Sequence, residues 1–393
     1  MSDIFKEAEF IKQELIENRR YLHMHPETGF DTVETASFVK KKLTEMGYEP
    51  VDCGKGVVAI IGNGAPTCMI RADMDALPMA EEADVEYRSD NGKMHACGHD
   101  MHTTMLLGAA RILKKYESSL KGTIKLMFQP AEEIFCGSKN MIEAGVLEAP
   151  KVDMALMLHV MTSVPFKTGS VMVSAPGVSA PAADYFEIIV KGKGCHGAMP
   201  ESGVDPLNAA AHILIALQEI NAREIASVDR AVLTVTTMQT GTASNVIPDE
   251  VRMGGTLRAY DEDVREFMKK RTEEIASSVA TAFRAQAEVV WSNGCKTLIN
   301  DRKMSETAVE KLSELLGEDM VIDAAKQNMP KASGSEDFAY VSHEVPSLML
   351  AVAAGKKDEG YEYPLHHPKA KLDEDALVYG SAIYAFMAME LTK

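Results

Sequence analysis

The sequence is short of positive charge. Its 393 residues carry 41 lysines and arginines against 58 aspartates and glutamates, a formal net charge of −17. Phosphate backbones are bound by surplus basic side chains, so this balance argues against a nucleic-acid binder. It equally disfavours docking on an anionic membrane. Long apolar runs are missing too, none approaching the roughly 18 residues of a membrane span. The stretch from Met1 to Leu22 is charged and amphipathic, with no apolar core followed by a small-residue cleavage site, so a secretory leader is not expected. Cysteine is sparse. Cys53, Cys68, Cys97, Cys136, Cys195 and Cys295 are scattered without the spacing of a disulfide framework, and a reducing cytoplasm is the expected setting. Repeats, low-complexity tracts and like-charge blocks are absent. Gly62-Asn63-Gly64 lacks the third glycine of a dinucleotide fingerprint and reads as a turn.

What is present is ordinary folded-protein composition, 46% hydrophobic and 25% charged. At about 150 residues per domain the length suggests two or three domains. Residues 4–22 and 35–46 read as helices, 57–61 and 68–72 as short buried strands, 103–116 as a helix, 123–128 as a strand, 137–144 as a helix and 154–158 as a strand. Strands alternating with helices predict a mostly parallel sheet covered on both faces. The middle differs. Strand 185–191, helix 206–222 capped by Asp205, strands 231–238 and 251–260, helix 262–283 opened by Asp261, and strand 287–291 form the ferredoxin-like order. The alternating pattern then resumes. The expected layout is a discontinuous α/β catalytic domain, residues 1–181 and 294–393, with an inserted α+β lid and dimerisation domain, residues 182–293.

Several polar residues follow predicted strands: Asp73 and Asp75, Glu132 and Glu133, and His159. Sites in open α/β sheets gather beyond the carboxyl ends of strands, so these residues imply one shared site. The tract His95-Ala96-Cys97-Gly98-His99-Asp100-Met101-His102 stands immediately before a helix. Cys97 and His99 are two apart, so an extended segment would point both the same way, onto one metal. Thiolate, imidazole and carboxylate together suit zinc or a neighbouring divalent ion. His95 and His102 read individually as hydrogen-bonding residues rather than ligands. Adjacent Glu132 and Glu133 would face opposite ways in an extended segment. One could then bind metal while the other takes the proton of the attacking water.

The tracts HACGHDMHTT (95–104), QPAEE (129–133), GTASNVIPD (241–249) and SGSEDF (333–338), with RADMDALP (71–78) and LHHP (365–368), resemble the dinuclear metal-dependent amidohydrolases. That family includes hippurate hydrolases, plant auxin-conjugate hydrolases, N-acyl-amino-acid amidohydrolases and related carboxypeptidases. The resemblance implies Cys97, His99, Glu133, His159 and one of His366 or His367 as metal ligands. His366 is preferred because the family's ligand stands two residues before the proline that is Pro368 here. It implies Glu132 as general base, Asp73, Asp75 and Asp100 as supports behind the ligands, and His196 as the small domain's contribution to the oxyanion. Asn245 and Arg258 would hold the substrate's carbonyl or carboxylate. Two divalent ions are implied, manganese or zinc foremost, cobalt or nickel as alternatives. So is a homodimer through the inserted domain, with His196 serving the partner's site.

The chain departs from the family at Ile134-Phe135-Cys136, where glycines are common, and at Cys195, where a small residue is usual. The expected reaction is hydrolysis of the linear amide of an N-acyl amino acid, with dipeptidase or carboxypeptidase activity on the same fold as the alternative. A cysteine hydrolase built on Cys97 is disfavoured, since carboxylates crowding a thiol raise its pKa. A non-catalytic metal-dependent binding protein is the remaining rival.

Overall fold

A computed structural model describes residues 3–393. The chain divides into two compact units, one made of the chain up to Ser179 with Ile299–Lys331 and Glu336–Lys393, the other of Ala180–Leu298 with Ala332–Ser335.

The larger unit is built on an eight-stranded sheet. Its centre is parallel: Thr123–Gln129, Thr67–Asp73, Met154–Met161 and Ser347–Ala353 lie side by side in that order. Antiparallel pairs enter only on the flanks, where Gly56–Ile61 pairs Thr123–Gln129 and Val171–Val173 pairs Ser347–Ala353. Every residue of Thr67–Asp73 and of Thr123–Gln129 is buried, as expected of central strands covered on both faces. Burial of Arg71 in such a strand demands partners, since an isolated buried charge is costly.

The helix after the Cys97 tract runs over His99–Lys115, four residues earlier than the pattern from Thr103 suggested. Gly98 precedes it with φ 87°, a left-handed turn. A Cβ there would lie 2.4 Å from Val160 Cγ2, so only glycine fits. This turn throws His99 onto the first turn of the helix, with Cys97 on the chain leading in. Asp100 at that helix start is bonded by Arg19 Nε and His23 Nδ1, both at 2.8 Å, while His23 Nε2 lies 3.0 Å from Glu81. The N-terminal helix Lys12–Met24 is thereby tied to the helix that carries the site.

The smaller unit has a four-stranded antiparallel sheet in the order Ala231–Gln239, Glu250–Ala259, Ala182–Lys191, Gln286–Cys295, the ferredoxin-like arrangement. Its first helix ends at Ala216, short of 222, and a π-turn over Ile220–Glu224 completes the descent. The caps follow the sequence reading: Asp205 accepts from the N–H of Leu207 and Asn208, and Asp261 from those of Asp263 and Val264. Losing a cap costs about 1 kcal/mol. Asp261→Ala is therefore expected to lower stability by that amount in urea titration, with the midpoint shifted and the slope unchanged. Among the described residues no helix is long and apolar enough to cross a membrane.

Candidate metal centre

The carboxyl ends of the central strands bring the chemistry together. Ligand atoms of Cys97, His99 and His159 lie within 4.8 Å of one another, as do those of Cys97, Glu133 and His366, and those of His99, Glu132 and Glu133. Cys97 Sγ stands 3.5 Å from His159 Nε2. His366 Nε2 is 3.6 Å from Glu133 Oε1, and His99 Nε2 is 3.9 Å from both Glu132 Oε2 and Glu133 Oε1. His367 turns elsewhere, stacked on Tyr363 at 4.3 Å. His366 adopts φ 64°, a left-handed turn that separates the two neighbours.

Three local expectations are corrected here. Cys97 and His99 do not share an extended segment; they converge across the Gly98 turn. Glu132 and Glu133 do not face opposite ways. Ala131 and Phe135 carry φ 59° and 55°, and the tight turn between them sends both carboxylates toward His99. His159 lies inside its strand, which continues to Met161.

The histidine tautomers are set from behind. His99 Nδ1 donates to Asp75 O at 2.8 Å, and His159 Nδ1 donates to Val160 O at 2.7 Å, leaving each Nε2 with its lone pair toward the cluster. His99 Nε2 and Glu133 Oε1 are buried without any hydrogen-bond partner. Buried polar atoms are rarely left so. Orphan lone pairs from imidazole and carboxylate, converging beside a thiol, fit a divalent cation.

Charge points the same way. Burial, reinforced by Glu336 and Glu133, holds the Glu132 carboxyl well above its ordinary range, and burial lifts Glu133 to about 7. Burial also pushes the Cys97 thiol well above its usual value, with Glu133 adding to it. A thiol so placed is a poor nucleophile, which counts against the cysteine-hydrolase alternative. Burial alone would press His99 down, but Asp73 and Cys97 override it and hold the imidazole well above its ordinary value. Bound cations would invert this pattern, favouring thiolate, carboxylate and neutral imidazole together.

The supporting acids take distinct places. Asp75 accepts the backbone N–H of Glu132 at 2.9 Å and of Glu133 at 3.2 Å, so one carboxylate seats both glutamates. Asp73 accepts from His102 Nδ1 at 2.6 Å and Arg71 at 2.7 Å. His102 Nε2 in turn accepts the N–H of Val160 at 2.8 Å. Asp100 faces Arg19 and His23, and among the described residues no hydrogen bond joins it to a candidate ligand. Arg71, Gln129, Glu336 and Asp337 lie in the tracts that carry the resemblance, but the sequence alone gives none of them a role. Arg71 pairs Asp73, Glu336 and Asp337 and donates to Gln129 from a fully buried position. The available signal was a charge inside an apolar strand run.

The remaining expected residues belong to the smaller unit. His196 and Asn245 lie on a two-stranded ribbon where Val246 pairs His196 and Gly197 donates to Asn245 O at 2.8 Å. His196 Nδ1 accepts the N–H of Ala198 at 3.0 Å, so its proton resides on Nε2, free to donate. Arg258 bonds Thr256 at 2.6 Å and lies over the Tyr185 ring at 5.3 Å.

The family model described as peptidase family M20/M25/M40 matches residues 69–390. The chain is 36% identical over 388 residues to an IAA-amino acid hydrolase, ILR1-like 2, of Arabidopsis thaliana, covering 96% of this chain and 85% of that one. It is 36% identical over 381 residues to an N-acetylcysteine deacetylase of Bacillus subtilis, covering 95% and 96%. Among solved structures it resembles the Bacillus subtilis YXEP protein, a dinuclear metal-binding peptidase from the M20 family, with a TM-score of 0.79 at 33% identity over 98% of this chain and 99% of that one.

Proposed function

The chain belongs to the peptidase family M20/M25/M40, and from that premise we propose that it hydrolyses the linear amide bond of N-acyl amino acids with two divalent cations. The observation that carries this reading is the convergence of Cys97, His99, Glu133, His159 and His366, with Glu132 beside them. These five residues would hold the ions, Cys97 being common to two of the groups. Manganese or zinc suits a mixed thiolate, imidazole and carboxylate set. When bound, the ions supply polarisation of the amide carbonyl and lower the pKa of the attacking water.

The chain's own residues do the rest. Glu132 takes the proton of the attacking water and delivers it to the departing amine. The Nε2 proton of His196 is donated to the developing oxyanion. Arg258 pairs with the free carboxylate of the substrate, where a planar guanidinium matches two oxygens.

A homodimer through the inserted unit, residues 182–293, accounts for the spread of these groups. The His196–Asn245 ribbon adjoins the Glu250 end of strand Glu250–Ala259, where Gly194 bonds Asp249 at 2.7 Å. Arg258 stands at the other end, opposite Ala183. Eight residues of strand span about 27 Å. In such a dimer a small substrate held by Arg258 of one chain would be served by His196 of the other.

The test is amine release from metal-reconstituted protein offered N-acetyl, N-benzoyl and indole-acetyl amino acids and dipeptides. Turnover of the acyl amino acids, abolished by a chelator and restored by manganese or zinc, is the expected result. Preference for dipeptides would support the peptidase reading, which the M20 peptidase neighbour favours. Turnover of nothing on the panel would overturn the proposal.

A further inference from the structure

We propose that Arg71, acting through Asp337, is a positioning residue that aims the Glu132 carboxylate. The inference rests on the reading of Glu132 as general base. Asp337 is pinned by donors from three elements. Arg71 reaches its Oδ1 at 2.9 Å from the central strand, Gln129 Nε2 reaches the same oxygen at 2.7 Å from the neighbouring strand, and the N–H of Ser138, on helix Gly137–Glu143, donates to Oδ2 at 2.9 Å. Gln129 is locked in turn, its Oε1 accepting from Arg71 Nε and from the Ser138 hydroxyl, both at 2.8 Å. All these side chains are buried.

So held, Asp337 points its backbone N–H at Glu132 Oε1, 3.4 Å away. Hydrogen bonds to catalytic groups are commonly long before substrate binds. The other oxygen, Oε2, is the one 3.9 Å from His99 Nε2. The two oxygens of Glu132 thus divide their work: Oε1 is tethered and Oε2 faces the ligand atoms. The tether acts from 205 residues away in sequence. Without it the carboxylate can rotate about its terminal torsion, which has a broad energy profile in glutamate. A misplacement of about 1 Å at a reacting group costs on the order of a hundredfold in rate.

The test is a double-mutant cycle on the metal-loaded enzyme. Asp337→Asn keeps the side-chain shape but opposes an amide N–H to that of Ser138 whenever its oxygen faces Arg71. Arg71→Lys keeps the charge but has a single ammonium in place of the fork that spans three carboxylates. Either variant is expected to bind both ions, to keep KM within about threefold and to lose roughly ten- to a hundredfold in kcat. In a Glu132→Gln background the same substitution is expected to cost little more, because a tether has no effect once the base is gone. Full additivity of the two losses, or a loss confined to KM or metal content, would overturn the proposal. If Asp337→Asn does not fold, the cycle is run with Arg71→Lys. Should Glu132→Gln alone prove active, the general-base assignment fails, a result distinct from additivity in the cycle.

Discussion

Glu132→Gln is expected to bind its metal ions as the wild type does and to lose about two to four orders of magnitude in kcat. Glutamine has the shape of glutamate, and its carbonyl oxygen can still accept the Asp337 N–H that now reaches Glu132 Oε1. The amide cannot take a proton from water. The atoms proposed to hold the ions, on Cys97, His99, Glu133, His159 and His366, are untouched. Metal stoichiometry and KM should therefore stay near wild type while the chemical step fails. Metal analysis and steady-state kinetics on one preparation check both halves. A variant that lost its ions would make Glu132 a ligand, and one that kept its rate would make it a bystander.

Mixed dimers of Glu132→Gln and His196→Ala are expected to regain activity that neither variant has alone. Removing an oxyanion donor costs about a hundred- to a thousandfold, so both homodimers should be close to inactive. If His196 serves the partner's site, a mixed dimer has one site pairing an intact Glu132 with an intact His196. Random association yields such dimers in half the population, and each holds one working site of two, so about a quarter of wild-type activity returns. Co-expression with two affinity tags isolates the mixed species, and its rate against the two homodimers is the readout. No recovery in the purified mixed dimer would place His196 in its own chain's site or outside the chemistry. Recovery is expected under the proposed dimer, because Arg258 and the His196 ribbon stand at opposite ends of one strand and would not both hold one small substrate from a single chain.

Much of the site was legible because donor chemistry is written residue by residue. A His and two Glu after predicted strands, with a Cys and a second His just before a predicted helix, announce a cation site before any coordinate is known, since strand ends of α/β sheets converge. What misled was local direction. Extended backbone would put Cys97 and His99 on one side and Glu132 and Glu133 on two, and the structure has neither segment extended. Gly98 at φ 87° breaks the first segment, and left-handed Ala131 and Phe135 curl the second so that neighbours converge. Non-glycine residues at positive φ are uncommon and are held there by their surroundings. His366 is preferred over His367 only on a family pattern; in the fold His366 itself is left-handed and turns its ring toward Glu133, while His367 stacks on Tyr363.

Arg71 marks the limit of reading along the chain. The sequence shows an arginine inside an apolar run, and burial of its strand makes partners obligatory. It does not say that those partners are Asp73 two residues on and Glu336 and Asp337 more than 260 residues away. By itself, then, the sequence determined the kinds of atoms at the centre, the alternation that makes a covered parallel sheet and the ferredoxin-like insertion. Those follow from side-chain chemistry and from periodicities of 2 and 3.6 residues, both local properties. Tertiary structure alone decided which way each candidate ligand points, that both glutamates reach one place, and which buried cation braces the acids behind them. Those outcomes depend on a few backbone angles and on contacts between distant segments, and they exist only once the sheet has brought its strand ends together.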